Sequence, residues 1–296
     1  MIVHLIDGTY ELYRQHFGQA VRHSTPPPLA ATRGVVTSTL QLLAGGATHV
    51  AVSVDHVIES FRNDLYDGYK TSDGMEEEIL TQLPMMEDAL RALGVVVWPM
   101  VKYEADDALA AAAVLADKDP RVDQVQMLTP DKDLGQVVSG NRIVQYDRRN
   151  DVIINEQAVI EKFGVGPASI ADWLALVGDT ADGFPGLSGW GAKSASSVLS
   201  VYSQLERIPD DENQWATDGV VVRGAAKLAT TLRENRELAE LFKVIATVVT
   251  DVSDDVAIGD VDTWEWRGPS AQLGDIAKTL GMTDLVERAE RAMVGR

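Results

Sequence analysis

Short apolar runs alternate with longer amphipathic segments over the first half of the chain. The short runs predict four buried strands, over residues 2–6, 48–54, 95–98 and 122–128. The segments between them have the apolar spacing of helices, over residues 10–20, 32–44, 76–93 and 104–116. A proline-rich break at residues 24–28 separates the first two helices. Strands that alternate with helices predict an α/β fold with a mainly parallel central sheet flanked by helices.

The pattern changes in the second half of the chain. Residues 142–146 and 151–154 are apolar runs around a polar turn, which predicts a hairpin. After about residue 155 the chain shows helices and loops without a further convincing core strand. We therefore expect an α/β core at 1–154 and a helical region at 155–296 that packs on the core.

Composition excludes several classes of protein. The chain has 296 residues, of which 45% are hydrophobic and 24% charged, as in ordinary soluble proteins. It contains no cysteine, which excludes disulfides and thiolate metal sites. The first residues lack the basic segment and cleavage site of a signal peptide, and no apolar run has the length of a membrane span. These features predict a cytoplasmic protein.

Acidic residues follow the predicted strands and the loops beside them. The set consists of Asp7, Asp55, Glu104, Asp106, Asp107, Asp131, Asp133, Asp179 and Asp182. Because parallel strands end at one edge of a sheet, these carboxylates are expected to converge there and to repel one another unless cations neutralise them. Oxygen ligands without cysteine select Mg²⁺ or Mn²⁺. Two such ions about 4 Å apart are the usual device for displacement at a phosphodiester, where one ion generates hydroxide and both stabilise developing charge.

Each acid taken alone has a simpler interpretation. Residues 104–107 open a helix, where carboxylates complement the helix dipole. Single aspartates are also common in turns and caps. Capping does not explain acids at four separate strand ends, so the metal site is the preferred interpretation of the whole set.

Four segments of this chain resemble the 5′-nuclease family, which includes flap endonucleases and the 5′→3′ exonuclease domain of bacterial DNA polymerase I. They are FRNDLYDGYK, YEADDALA, LTPDKDLGQVV and GDTADGFPGLSGWGAKSA. The resemblance runs from Asp7 to about Lys243, and the chain leaves no room for a polymerase, so it resembles the stand-alone form. It implies a PIN-like nuclease core and a structure-specific 5′ nuclease acting in primer removal and DNA repair.

The resemblance also implies roles for individual residues. Asp7, Asp55, Glu104 and Asp106 would hold a first ion, and Asp131, Asp133 and Asp182 a second, with Asp106 close to both. Asp107 and Asp179 would lie behind these ligands or hold a further, weaker ion. Arg62 and Lys70 would face the scissile phosphate from the base of an arch at about residues 56–84.

Contacts with DNA are implied at several further positions. Residues 184–200 resemble a helix-hairpin-helix-type element, in which Gly189 and Gly191 let the backbone approach a phosphate, Lys193 adds charge and backbone carbonyls hold K⁺. Tyr69, Arg14 and Arg33 are further predicted DNA contacts, although surface arginines are ordinarily just solvated. A basic strip completes this prediction, with Arg223, Lys227, Arg233 and Arg236 beside Lys193.

The chain departs from the family pattern in three places. Pro130 precedes the D-K-D motif where the family usually has glycine, and Gly183 follows the last acid where it has asparagine. Residues 71–78 (TSDGMEEE) are acidic where bases and prolines are common, so we expect a weak or flexible arch. With a net charge of −19, the chain is expected to bind DNA modestly and in a salt-sensitive way.

Two other functions remain as alternatives. Residues 5–9 (LIDGT) resemble the motif of haloacid-dehalogenase-type phosphatases, but Leu5 stands where their nucleophilic aspartate would be. A protein that binds branched DNA without cutting it is the second alternative. For the nuclease, the expected partners are DNA 5′ ends, flaps and nicks, with RNA–DNA hybrids as a further substrate and a monomer as the default state.

Overall fold

The computed structural model describes residues 1–22 and 27–294, so residues 24–26 of the predicted proline-rich break lie outside the described residues. The described strands are β1 (Ile2–Asp7), β2 (His49–Asp55), β3 (Val96–Met100), β4 (Gln124–Leu128), β5 (Ile143–Asp147) and β6 (Val152–Ile154). The α-helices are α1 (Gly8–Arg22), α2 (Ala30–Ala44), α3 (Phe61–Leu65), α4 (Glu77–Leu80), α5 (Leu83–Ala92), α6 (Ala105–Asp117), α7 (Glu156–Phe163), α8 (Ile170–Val177), α9 (Ala192–Tyr202), α10 (Glu212–Thr217), α11 (Ala225–Glu234), α12 (Arg236–Ala246), α13 (Leu273–Leu280) and α14 (Leu285–Val294). Short 3-10 helices cover Asp133–Val137, Pro167–Ser169, Leu205–Arg207 and Val261–Trp264.

The chain forms two compact units. Unit 1 comprises Met1–Ile58, Ser72–Thr129 and Val249–Arg296, and unit 2 comprises Glu59–Thr71 and Pro130–Val248. The predicted arch, residues 56–84, is divided between the two units. No helix in the described part of the chain is both long and apolar enough to cross a membrane.

Unit 1 contains the predicted parallel strands, in the order β3-β2-β1-β4. Every residue of β2 from His49 to Val54 is buried, as expected for a strand covered on both faces. Helix α6 packs on the sheet with a nearly continuous alanine face, and these short side chains let its backbone lie close to the strands. The predicted α/β fold with parallel strands is confirmed.

The carboxyl ends of the parallel strands lie side by side in unit 1. In the strand register, Asp7 of β1 is opposite Ser53, and Asp55 of β2 is opposite Met100, the last residue of β3. Helix α6 begins five residues later at Ala105. The fold therefore places Asp7, Asp55 and the start of α6 along the same edge of the sheet.

The last part of the chain, Val249–Arg296, belongs to unit 1. The division predicted at residue 154 stays a prediction. Trp264 packs edge-on against Trp98 of β3, with ring centroids 5.6 Å apart. The Trp266 Nε1–H donates to the carbonyl of Leu93 over 2.7 Å. Burial of these large aromatic rings anchors the C-terminal segment to the sheet.

Unit 2 contains the predicted hairpin and a set of helices. Strands β5 and β6 are antiparallel, with Gln145 opposite Ile154. Helices α8 and α12 pack together, and Phe184 meets Phe242 of α12 with ring centroids 5.5 Å apart. Helices α8 and α9 also pack on each other, and the helix-hairpin-helix-type element predicted over residues 184–200 stays a prediction.

One predicted helix is interrupted. Residues 76–93 form two helices, α4 and α5, rather than one. Pro84 lies in the first turn of α5, where its missing N–H costs nothing. The same proline cannot continue an earlier helix, because it lacks the hydrogen-bond donor that the interior of a helix requires.

Candidate metal centre

Three carboxylates of unit 2 come together. Asp133, Asp179 and Asp182 each offer an oxygen, and these atoms lie within 4.8 Å of one another. Asp133 is the last residue of the D-K-D motif and the first residue of the 3-10 helix Asp133–Val137. Asp179 and Asp182 lie in the loop after α8, which is closed by a pair of backbone hydrogen bonds between Asp179 and Phe184, at 2.8 and 3.0 Å.

The environment of Asp133 disfavours its negative charge. Its Oδ1 is buried and has no hydrogen-bond partner within the described residues. Burial raises the pKa of Asp133 well above its usual range, and the charges of Asp131 and Asp182 raise it further. A buried carboxylate oxygen among other carboxylates requires a proton or a cation.

Two lysines already supply part of the compensating charge. Lys132 forms an ion pair with Asp179, and the Nζ of Lys70 lies 2.9 Å from Asp182. Burial alone would lower the pKa of Lys132, but its hydrogen bond to Asp179 and the neighbouring carboxylates raise that pKa overall. Asp131 adds its charge beside Asp133, so the carboxylates of this group outnumber its ammonium groups.

The donor set fits a hard divalent cation. All the converging side chains are carboxylates, and they include a buried oxygen without a hydrogen-bond partner among the described residues. Such oxygen-only sets suit Mg²⁺ or Mn²⁺ rather than zinc. The sequence analysis gave Lys132 no role. Its position between two aspartates of the predicted site is the signal that could have identified it.

Lys70 is held in position by its own backbone. Its N–H donates to the carbonyl of Asp182 over 2.9 Å, and its carbonyl accepts from the Asn63 side chain over 2.9 Å. Its ammonium lies 5.5 Å from the centroid of the Tyr69 ring. Tyr69 is only 4% exposed. Tyr69 is therefore buried beside the Lys70 ammonium, and its contact with DNA stays a prediction.

The glycine at position 183 has a structural reason. Its φ is +88°, and a Cβ there would lie 2.2 Å from the carbonyl oxygen of Gly68. The segment that carries Lys70 thus passes too close for any side chain. The departure from the family's asparagine follows from this close approach.

Replacement of Gly183 by asparagine is expected to destabilise the protein by about 2–3 kcal/mol, because backbone strain and a steric clash act together. Chemical denaturation of the metal-free protein measures this change. Gly189→Asn is the matched control: Gly189 has a similar φ of +84°, but a Cβ at this position would have no neighbouring atom within 4 Å. Equal losses in the two variants would show that the close approach to Gly68 is not the reason for the glycine.

The acids of unit 1 are oriented by hydrogen bonds from backbone N–H groups and from the Thr129 hydroxyl. The Oδ1 of Asp7 accepts from the N–H of Tyr10 over 2.8 Å, as in a cap of α1, and its Oδ2 accepts from Thr129 over 3.1 Å. The Oδ1 of Asp55 accepts from the N–H of Ala105 over 2.7 Å. These contacts fix the directions of both carboxylates along the carboxyl edge of the sheet.

Asp107 has a structural role at the start of α6. It is fully buried, its Oδ2 accepts from the N–H of Glu104 over 3.0 Å, and its Oδ1 accepts from the N–H of Val249 over 2.7 Å. This geometry supports a position behind the ligands rather than on an ion. Glu104 is buried and Asp106 half-buried in the same turn. Their convergence with Asp7 and Asp55 on one ion stays a prediction.

Several arginines predicted to contact DNA make hydrogen bonds and ion pairs within the protein. Arg62 is buried, and its guanidinium donates to the carbonyls of Ile245 over 2.8 Å and Thr247 over 3.0 Å. It therefore holds the end of α12, and a direct contact with a phosphate stays a prediction.

Other arginines are engaged in a similar way. Arg14 pairs with Glu11 over 2.5 Å, and Arg33 donates to the carbonyl of Leu280 over 3.0 Å. Arg236 donates to two backbone carbonyls of unit 2 and pairs with Asp210. These contacts help to hold the fold, and the predicted contacts of the three arginines with DNA stay predictions.

The glycine-rich loop before α9 presents an exposed face. Gly189 and Lys193 are exposed, and Gly191 caps α9 with an extended backbone. Trp190 is buried beside Trp215, with ring centroids 6.1 Å apart, and this contact anchors the loop. The exposed cations of this part of unit 2 include Lys193, Arg223, Lys227 and Arg233.

Two known domains match the chain in sequence. Residues 2–164 match the 5′-3′ exonuclease N-terminal resolvase-like domain. Residues 165–271 match the 5′-3′ exonuclease C-terminal SAM fold. Together these matches cover the acids of both units and the glycine-rich loop.

Curated relatives carry similar sequences. A 5′-3′ exonuclease of Aquifex aeolicus is 33% identical over 217 residues, which cover 70% of this chain and 71% of that protein. DNA polymerase I of Pseudomonas aeruginosa is 34% identical over 268 residues, which cover 86% of this chain and 28% of the polymerase. The chain spans roughly a quarter to a third of the length of the DNA polymerase I relatives it matches.

A solved structure shares the fold. The phage T5 flap endonuclease, in a pseudo-enzyme-product complex with DNA and metal ions, aligns with a TM-score of 0.64 at 17% sequence identity. The alignment covers 100% of this chain and 99% of that chain. At such low identity the likeness concerns the fold.

Proposed function

Because this chain belongs to the 5′-3′ exonuclease family, we propose that it is a structure-specific 5′ nuclease, with 5′→3′ exonuclease and flap endonuclease activity on DNA. The observation that carries the proposal is the group of Asp133, Asp179 and Asp182 within 4.8 Å, with its buried, unpartnered oxygen among the described residues. The resemblance recognised in the four motifs is confirmed.

The proposal includes two divalent ions, Mg²⁺ or Mn²⁺. Asp131, Asp133 and Asp182 would hold one, with Asp179 beside them or on a weaker ion, and the acids of unit 1 would hold the other. Bound ions would supply hydroxide at neutral pH and stabilise charge on the phosphate. The donor chemistry supports this set, because every side chain in it is a carboxylate.

The chain's own cations would act on the substrate. Lys70, fixed by its backbone contacts with Asp182 and Asn63, would direct its ammonium at the scissile phosphate and stabilise charge that develops there. Lys132 reduces the repulsion between the carboxylates of unit 2. Both roles need a positive charge in the cluster, and the raised pKa of Lys132 keeps that side chain protonated.

DNA would be bound by the exposed side of the glycine-rich loop. Gly189 and Gly191 present backbone groups, Lys193 adds charge at the start of α9, and the loop carbonyls are the proposed site for K⁺. Since these are few cationic contacts on an acidic protein, DNA affinity is expected to be modest and to decrease as salt is added. We include RNA–DNA hybrids among the substrates, a monomeric state, and roles in primer removal and repair.

Cleavage of a labelled 5′ flap tests the proposal. The purified protein is expected to release short 5′ products in Mg²⁺ or Mn²⁺ and to lose this activity in EDTA, because chelation removes the ions that would generate hydroxide. Restoration by added metal is the control. Binding of the flap without cleavage in any metal would favour the non-cutting alternative, and hydrolysis of an aryl phosphate instead would favour the phosphatase.

A further inference from the structure

The loop between β3 and α6 is held by a single carboxylate from the C-terminal part of unit 1. The Oδ2 of Asp255 accepts from three consecutive backbone N–H groups, those of Val101, Lys102 and Tyr103. The distances are 3.0, 2.8 and 3.0 Å. Successive N–H groups that point at one oxygen form a concave anion site, which here is filled from within the chain.

This loop leads directly to the predicted ligands of unit 1. Glu104 follows Tyr103 and is buried, and Asp106 lies two residues further in the first turn of α6. The N–H of Ala105 also donates to Asp55, so a displacement of the loop would move Glu104 and Asp106 and disturb the hydrogen bond that orients Asp55. The direction of Glu104 therefore depends on the backbone that Asp255 fixes.

The segment that carries Asp255, residues 249–255, is itself anchored; we call it the strap. Its first residue, Val249, donates to the buried carboxylate of Asp107 over 2.7 Å. Val252 is 2% exposed, and its carbonyl accepts from the N–H of Asp255 over 3.0 Å. The strap thus meets the start of α6 at two points, and Asp255 has little freedom to leave its position.

We propose that Asp255 is a positioning residue for the metal centre: by gathering three N–H groups it sets the orientation in which Glu104 is presented to the ion. This inference rests on the proposed function. A charged acceptor bonded to several N–H groups holds a loop more firmly than neutral bonds do. Partners that orient a ligand in this way commonly change metal affinity by about 10- to 100-fold when they are removed.

The test compares Asp255→Ala and Asp255→Asn with a neighbouring control. In Asp255→Ala, the Mg²⁺ concentration that half-saturates flap cleavage is expected to rise about tenfold, whereas the rate at saturating Mg²⁺ changes less than about threefold. Asp255→Asn keeps one neutral acceptor and is expected to fall between this variant and the wild type. Asp254→Ala is the control, because Asp254 pairs with the exposed Lys102 side chain and leaves the three N–H groups bonded.

Amide hydrogen exchange gives a second readout that does not depend on activity. In metal-free protein, the N–H groups of residues 101–103 are expected to exchange about 10-fold faster in Asp255→Ala, with Asp254→Ala unchanged. Wild-type exchange together with a wild-type Mg²⁺ dependence in Asp255→Ala would overturn the inference, as would a lower melting temperature as its sole effect. A wild-type protein that cleaves no flap in any metal would instead overturn the proposed function and this inference with it.

Discussion

Asp182→Asn is expected to lower the single-turnover rate of flap cleavage by at least about 100-fold. Removal of a group that merely orients a ligand already costs about 10- to 100-fold, and Asp182 lies in the three-carboxylate group itself. Asparagine preserves the shape of the side chain but removes the charge that an ion and Lys70 both need. Rapid-quench measurements at saturating enzyme isolate this chemical step.

Binding of the same flap is expected to survive this substitution. Loss of a negative charge removes no phosphate contact, so the dissociation constant in Ca²⁺ or EDTA should be unchanged or lower. Asp131→Asn is expected to behave likewise, and Glu240→Gln, an exposed acid on α12, serves as the control with wild-type activity. Full activity in both aspartate variants would disprove the assignment of the second ion.

Asp133→Asn is expected to raise the free energy of unfolding of the metal-free protein by about 1–2 kcal/mol. Changes of this size are ordinary for a single substitution, but most substitutions lower stability. The carboxylate is buried, and its neighbours Asp131 and Asp182 add repulsion, so ionisation opposes folding. A neutral amide can instead donate to these carboxylates. The melting temperature in EDTA, compared with that of the wild type, measures the gain.

The pH dependence has a definite sign. The pKa of Asp133 in the folded state lies above that of the unfolded chain, so the folded state binds more protons. Its contribution to stability therefore decreases as pH rises from about 4, the ordinary value for an aspartate, through the raised pKa. The advantage of Asp133→Asn should be present at neutral pH and disappear below about pH 4.

Metal ions should reverse the order of stability of the wild type and Asp133→Asn. An ion that binds only the folded state adds about 2.7 kcal/mol of stability at roughly 100 times its dissociation constant. The wild type is expected to show this gain in Mn²⁺, and Asp133→Asn to lose most of it. Equal stabilisation of both proteins by Mn²⁺ would contradict a role for Asp133 as a ligand.

The same carboxylates thus have opposite effects on stability and on function. In the absence of ions, Lys132 and Lys70 only partly compensate for Asp179 and Asp182. A divalent cation at this group, as proposed, would supply the positive charge that the two lysines do not. Part of the negative charge that argues against a DNA partner therefore belongs to the proposed cutting site.

Local sequence patterns determined the elements of this fold. Strand residues such as those of β2 are almost continuously apolar, and the acids that end β1 and β2 are adjacent in sequence to these runs. A parallel sheet then aligns its carboxyl ends by geometry alone, so the shared edge of Asp7 and Asp55 follows from the sequence. The four motifs also identified the family from the sequence, because a motif is a pattern of side chains.

Only the tertiary structure decided which groups meet across long separations. Arg62 donates to backbone carbonyls at the end of α12. Gly183 leaves room for the carbonyl of Gly68, and Asp255 accepts from the N–H groups of residues 101–103. In each contact one partner is backbone, which is the same in every residue and leaves no trace in the sequence. The physical reason is that the chemistry of a side chain can be read from the sequence, whereas the backbone group that it contacts depends on the tertiary structure.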